Sequence, residues 1–288
     1  MTSLFKTDLY KLFKTKSFYV IGIIIMAFSA LSGFAEAKQI NSALDALKKS
    51  TQDGTVTSFG ISGVNFTDTS IWHGALSSCF SNLFMLTGIL VVLFICAEFS
   101  HGTIKNVASK GFTKLQMLTS KGLCFIIASA IYSILSFLAF FSMNAIFIAN
   151  DIKQTIKGYF QIPNGFFPVI GILFLLLLAY LAFPYFIAVN IRKTGPSISI
   201  FLVTAIILPT IINVVETLLL LKNNNGNFPT EQNFFTVTNF IIPMCAKALT
   251  ANYNPIPSDL MNVIWITIAA HIIVFGGLSF ITFKKRDI

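Results

Sequence analysis

The sequence is poor in charge. Only 11% of its 288 residues are Asp, Glu, Lys or Arg, where soluble domains carry about 25%. Acids are the scarcer sign, 11 against 20 Lys and Arg. A chain so composed cannot clothe an ordinary globular domain in solvated side chains. Cysteines are few as well: Cys79, Cys96, Cys124 and Cys245 show no pairing pattern, so no disulfide framework is expected. His73, His101 and His271 are scattered without metal-ligand spacing. No nucleophile, base and orienting group fall together either, and the chain is not expected to be an enzyme. The phosphate-cradling pattern GxxxxGK[ST] is absent, so nucleotide chemistry does not belong to this polypeptide.

What the chain has instead is apolar length. Hydrophobic residues make up 55% of it and the mean hydropathy is +0.78. Six runs, about 17–35, 75–97, 122–149, 166–190, 196–221 and 261–283, reach the roughly 20 residues that cross a bilayer core as helix. Buried helices of soluble proteins are shorter, and outer-membrane strands would alternate in polarity, which these runs do not. The expected fold is therefore an all-α polytopic membrane protein, one transmembrane domain over 1–288 with six spans. The first run follows Lys6, Lys11, Lys14 and Lys16 as a signal peptide would. Its apolar core exceeds the roughly 7–15 residues of a signal, and no clear cleavage site precedes AFSALSGFAEA, so a retained anchor is expected.

Basic residues orient the spans. Residues 1–16, 98–121, 191–195 and the tail from Lys284 share one side and hold 13 of the 20 Lys and Arg residues. They carry three acids, Asp8, Glu98 and Asp287. The segments opposite hold 7 basic and 7 acidic residues. By the positive-inside rule both termini are cytoplasmic. Net charge thus follows topology, and no nucleic-acid partner is expected.

Between spans two and three lies CAEFSHGTIKNVASKGFTKLQMLTSKG, residues 96–122. From Ile104, apolar residues at Val107, Ala108, Phe112, Leu115 and Leu118 recur at three- and four-residue steps. Lys110-Gly111 interrupts them. Thr113 with Gln116 matches a capping box, and Phe112 with Met117 a hydrophobic staple. Two helices are expected: a short one over about 101–109, and a long one from Lys114 to about Asn150 that protrudes into the cytoplasm. Glu98 and Ser100 suit the start of the short helix. That helix either lies on lipid or docks on a cytoplasmic partner.

EFSHGTIKNVASKGFTKLQMLTSKGL, with its acidic residue, Gly-Thr, basic residue, glycine turn and basic helix, resembles the segment after the second span of ABC-2-type permeases. The likeness extends along the chain: a basic N-terminal helix, six spans, both ends inside and a long outer segment between spans five and six. It implies a permease subunit in a bacterial cell membrane that pairs with a second copy or a similar permease. A separate ABC-type ATPase would supply ATP and Mg; the chain itself would hold no cofactor. It also implies that Glu98, Gly102, Thr103, Ile104, Lys105, Val107 and Gly111 form the coupling helix and its flanks, with Ile104, Val107 and Ala108 filling a cleft of the ATPase. Members of this size resemble exporters of small amphipathic peptides and bacteriocin-immunity permeases, with lipid-linked or drug-like cargo as the alternative. An ATP-independent transporter or channel is the competing class; it would need inverted repeats, broken paired helices or intramembrane charges. The sequence shows neither an internal repeat nor a second span charge beside Glu216.

SLFKTDLYKLFKTK places Leu4, Phe5, Leu9, Leu12 and Phe13 on one helical face and Lys6, Lys11 and Lys14 on another, an interfacial helix over 1–16. Asp8 falls on the apolar side, against the pattern. It either anchors the chain to lipid or also touches the ATPase. Outside, residues 36–74 begin as a helix (EAKQINSALDALKK) and turn Gly/Thr/Ser-rich. Residues 222–260, with FFTVTNFIIPM, form a partly re-entrant helix or an exposed loop. Glu216 is the acid set inside a span, and either lines the translocation pathway or pairs with a polar neighbour such as Asn213. Pro184 and Pro209 are expected to kink spans four and five.

The orientation has a direct check. In a variant lacking the native cysteines, a cysteine at position 48 is expected to react with an impermeant reagent from outside, and one at position 114 only from inside. The reverse pattern overturns the topology.

Overall fold

A computed structural model describes residues 2–52, 71–148, 165–223, 239, 241–251 and 256–285. Among them every element is helical. Six helices are long and apolar enough to cross a membrane: Lys16–Ser42, Gly74–Ser100, Lys114–Phe147, Phe166–Ile191, Thr194–Leu219 and Ser258–Lys285. Each expected run overlaps one of them, 122–149 and 196–221 running two residues beyond the ends at Phe147 and Leu219. In chain order the elements are α1 (Thr2–Lys14), α2 (Lys16–Gln52), α3 (Ile71–Ser100), α4 (Thr103–Ser109), α5 (Lys114–Phe147) and α6 (Phe166–Ile191). They continue with α7 (Thr194–Leu202), α8 (Leu208–Asn223), α9 (Ile242–Ala251), α10 (Ser258–His271) and α11 (Gly277–Lys285).

The first span runs past its expected end. EAKQINSALDALKK contains neither Gly nor Pro, so nothing stops the helix that enters it, and α2 continues to Gln52. The Gly/Thr/Ser-rich stretch that follows, and most of the segment before Ile241, lie outside the described residues. The fourth and fifth spans are joined by two residues, Arg192 and Lys193. Arg192 ends α6 in the left-handed region (φ 61°), and its guanidinium lies 4.9 Å from the Phe99 ring centre.

α3 is the hub. A helix apolar on all sides has no face to give to solvent and is buried by its neighbours. α3 packs against α2, α5, α6, α7 and α9, and burial reaches every side of it: Leu83, Leu90, Val91, Val92, Ile95 and Cys96 are all within 2% of full burial.

α2 and α5 form the longest helix pair and run parallel, since successive contacts climb both chains together. The Tyr132 hydroxyl donates to Phe18 O (2.7 Å), the Ser29 and Ser136 hydroxyls bond each other (2.6 Å), Asn144 Nδ2 donates to Gly33 O (3.3 Å), and Asn41 Nδ2 donates to Phe147 O (2.9 Å). Apolar surroundings offer helices little reason to associate except close packing, which small residues permit. Gly33 is the closest point. A β-carbon there would sit 2.5 Å from the Phe140 carbonyl oxygen, a backbone atom that cannot swing away.

Spans five and six each break into a π turn, over Val203–Ile207 and Ile272–Gly276. In span five Pro209 explains it. Proline has no N–H for the carbonyl four residues back and its ring clashes with that carbonyl. The helix widens instead, and Leu208 N–H bonds to Val203 O, five residues back. Pro184, by contrast, lies inside continuous α6. α9, too short to cross, tucks against α3, α6 and α10, burying Ile242, Cys245, Ala246 and Leu249. Pro243 sits in its first turn, where the missing N–H would have no helical partner.

Two glycines should therefore respond oppositely to alanine. Gly33→Ala is expected to destabilise the fold by about 1–3 kcal/mol through overpacking. Gly122→Ala in α5, where nothing lies within 4 Å of the added carbon, should be neutral or stabilising, as alanine is the better helix former. Melting temperatures in detergent decide; equal shifts would contradict the α2–α5 contact.

Candidate functional site at the basic end of the bundle

The basic segments meet at one end, and there α1 packs on α5. Its apolar face is given to protein: Leu4 and Leu12 are buried, and so is Asp8, at 0% exposure. The Asp8 that broke the amphipathic pattern is thus an internal partner. Its Oδ2 accepts from the Ser120 hydroxyl (2.7 Å). Its Oδ1 has no hydrogen bond but lies 3.8 Å from Lys121 Nζ and 3.9 Å from Lys11 Nζ. Glu98 pairs with Lys121 and, at 3.4 Å, with Lys11. The Lys121 ammonium also sits 5.8 Å from the Phe94 ring centre.

Two acids and two bases from α1, α3 and α5 thus form a charge-balanced quartet. Lys121, Glu98 and Asp8 are almost wholly buried, while Lys11 is about one-third exposed on its side chain. A single charge buried there would be strongly unfavourable; the four together neutralise one another. The sequence reading found Glu98 but expected it to cap a helix start. Its carboxylate instead pairs with α1 and α5, and its carbonyl meets the next helix, accepting from the Thr103 hydroxyl (3.2 Å). Ser100 likewise bonds backward, to Ala97 O (2.9 Å), at the end of α3.

The short helix between spans two and three is present as α4. It begins at Thr103, two residues later than expected, because Gly102 turns left-handed (φ 66°). Gly111 closes the far side of α4 in the same conformation (φ 81°). A β-carbon at either glycine would meet nothing within 4 Å, so backbone strain alone calls for glycine there. The capping box holds: Gln116 N–H donates to Thr113 Oγ1 (3.3 Å) and Thr113 N–H to Gln116 Oε1 (3.0 Å), starting α5 at Lys114. Lys114 Nζ then donates to Lys284 O (3.0 Å), tying α5 to the end of α11.

Here the structure corrects the expected use of α4. Ile104 is buried at 4% exposure in the chain's own core, and Val107 and Ala108 pack against that core. Ile104 is therefore committed to the chain's own core, while Val107 and Ala108 remain partly exposed. The outward face is polar: Lys105, Asn106, Ser109 and Lys110 are exposed. Leu115, placed on the apolar stripe by spacing, is 53% exposed.

Glu216 is half-buried on α8, near the opposite end of span five. It is joined as a span acid by Glu36, because the first membrane-length helix extends to Ser42. The Glu36 carboxylate packs directly against Gly74 of α3. A second feature lies among α6, α9 and the two π turns, a cavity of about 150 Å³ lined by residues including Tyr180, Thr204, Pro209, His271 and Phe275, but not Glu216. The Thr204 hydroxyl is taken by Ile200 O (2.8 Å) and Phe201 O (3.0 Å). His271 Nδ1 lies 3.0 Å from Thr267 O, so the neutral ring carries its proton there and its lone pair on Nε2. All four cysteines are buried free thiols, and burial pushes Cys245 up to about 12, a packing group and not a nucleophile.

The quartet has a double-variant signature. Glu98→Gln or Lys121→Met alone is expected to cost about 3–5 kcal/mol, because each leaves a buried charge uncompensated. Together they leave Asp8 with Lys11 and should lose less than either alone. Thermal unfolding of the three variants in detergent tests this, and additive losses would contradict the quartet. Residues 39–288 match the model of a family described as "Protein of unknown function (DUF2705)". No curated protein matches the chain.

Proposed function

The chain belongs to the DUF2705 family, and we propose that it is the membrane-spanning subunit of an ABC-2-type exporter, driven by ATP hydrolysed on a separate subunit. The observation that supports this reading is the mounting of α4. A seven-residue helix hangs between two left-handed glycines, is pinned by Ile104 to the core, and presents a polar, twice-basic face outward. The same end carries the quartet joining α1, α3 and α5. A push on α4 therefore reaches three helices through stiff contacts, as a mechanical joint requires.

In this reading the basic end is cytoplasmic. Lys105 and Lys110 meet an acidic rim on the ATPase. Ile104 and Val107 fix the helix to the permease, Gly102 and Gly111 shape its ends, and Thr103 links it to Glu98. Glu98 carries the displacement through Lys121 and Lys11 to spans one and three. Two copies, or this chain and a similar permease, would enclose the pathway. Exposed apolar faces on α8, such as Ile211, Val215 and Leu218, would meet lipid or that second permease. Glu216 remains the candidate pathway acid.

The cargo is an amphipath. Resemblance favours a small peptide, while the narrow apolar cavity beside Tyr180 and His271 suits a chain-like apolar group and so supports a lipid-like cargo.

The expected outcome is that ABC-type ATPase co-expressed with the chain co-purifies with it, and that Lys105→Glu with Lys110→Glu lowers recovery at least about tenfold, a 1.4 kcal/mol effect. The melting temperature should not change, because both lysines are exposed. Full recovery of the ATPase with the double variant, or transport by the purified chain alone in proteoliposomes, would sink the proposal.

A further inference from the structure

Apart from the Ser29–Ser136, Tyr132–Phe18 and Ser120–Asp8 bonds between helices, hydroxyls in this bundle mostly bond back onto their own helices. Thr87 donates to Leu83 O (2.5 Å), Ser133 to Ser129 O (2.8 Å), Thr217 to Asn213 O (2.8 Å) and Ser279 to Phe275 O (2.6 Å). That is what apolar surroundings demand, since nothing else there accepts the proton. Near the start of α3 the habit lapses. Ser78 and Ser81 make no hydrogen bond among the described residues. Ser77 reaches Gly74 O only at 3.3 Å.

These three hydroxyls line a cavity of about 440 Å³ between α3 and α9, together with Lys247. Lys247 is exposed and forms no ion pair among the described residues. No acid lines the cavity, so it presents donors and one positive charge. Its floor is apolar: Leu76, Phe80 and Phe84 are at most 3% exposed. Pro243 borders this cavity and the 150 Å³ one alike, and the Phe84 and Tyr180 rings, 5.4 Å apart edge to face, stand between α3 and α6 beside them.

We propose that the α3–α9 cavity binds the anionic head of a single-chain amphipathic lipid. A carboxylate or phosphate accepts from serine hydroxyls and pairs with an ammonium, and such charge-assisted bonds are the strong ones. A cationic head would find no acceptor of opposite charge. The first methylenes lie on Phe80 and Phe84, which remain out of water. Size argues against a helical peptide. One turn of α-helix with side chains, 5.4 Å tall and 10–12 Å across, takes up roughly 420–610 Å³, so a single turn would use about the whole cavity and leave no room for a second. An alkyl chain fits both cavities. Applied to the export reading, this makes the polar end of the cargo an anion, but the site stands without it and its test involves neither ATPase nor transport.

The test uses the full-length purified chain in phosphatidylcholine nanodiscs. Probes are lauroyl-lysophosphatidylglycerol, lauroyl-lysophosphatidylcholine, inorganic phosphate and an amphipathic helical peptide. The anionic lysolipid is expected to bind about tenfold more tightly than the zwitterionic one, the size of one charge-assisted contact. Lys247→Gln should abolish that preference without lowering the melting temperature, and Lys247→Arg should retain it. Ser78→Ala with Ser81→Ala should weaken the anionic probe severalfold. Equal affinity for the two head groups, or an unchanged preference in Lys247→Gln, overturns the proposal. So does phosphate binding as tightly as the lysolipid, which makes it a free-ion site, or preferential displacement by the peptide, which makes it a peptide site.

Discussion

Charge compensation at the basic end is the constraint on which the rest of the structure turns. Asp8, Glu98 and Lys121 leave water only because they do so together, with Lys11 closing the set from the edge. Removing any one member leaves a charge with no solvent to stabilise it. α1 therefore belongs to the bundle and does not merely rest on its surface. The quartet also crosses the boundary of the family match: Glu98 and Lys121 lie within residues 39–288, while Asp8 and Lys11 precede them. The matched portion thus contains two opposite charges whose remaining partners are supplied by the N-terminal helix.

Away from that end the fold relies on packing and internal hydrogen bonds. Gly33 admits α5 to backbone contact, and serine and asparagine side chains bridge the same interface. α3 is enclosed because it has no polar face to expose. Spans five and six are looser, with long apolar side chains outward from Val203 to Leu219 and from Trp265 to Ile281. The bundle thus has a tighter part centred on α3 and α6 and a looser part in spans five and six, while α2 and α5 also turn apolar side chains such as Ile23, Leu31, Ile134 and Leu138 outward.

Much of this was legible in the sequence, and the reasons are local. Apolar run length located six membrane-length helices, and Thr113 with Gln116 announced the start of α5 because a capping box is a contact between residues three apart. Gly111 marked the break between the two helices, whereas Gly102 lay inside the expected short helix and instead turns left-handed before it. The failures are long-range. Asp8 looked misplaced on its helix because its partners, Ser120 and Lys121, lie more than a hundred residues away. Ile104 looked like an outward knob because periodicity identifies an apolar face without saying what covers it. Glu36 fell outside the first span because that span was bounded where the apolar run ends, although the helix expected over EAKQINSALDALKK is the same helix continued without a break. The α3–α9 cavity had no sequence signal, since Ser77, Ser78 and Ser81 acquire meaning only beside Lys247.

The π turn before Pro209 carries a consequence for the phase of span five. A π turn is in effect one residue added to an α-helix, and each residue advances the helix by about 100°. The face that α7 gives to the core through Ser197 and Phe201 is therefore not continued in register by α8. A helical wheel drawn over the whole span superimposes two half-wheels offset by more than a quarter turn. Substitution tolerance along 194–219 should follow two periodic patterns with a discontinuity near 203–207, and a one-residue deletion there would swing the C-terminal half of the span, with Glu216, onto a different azimuth of the bundle.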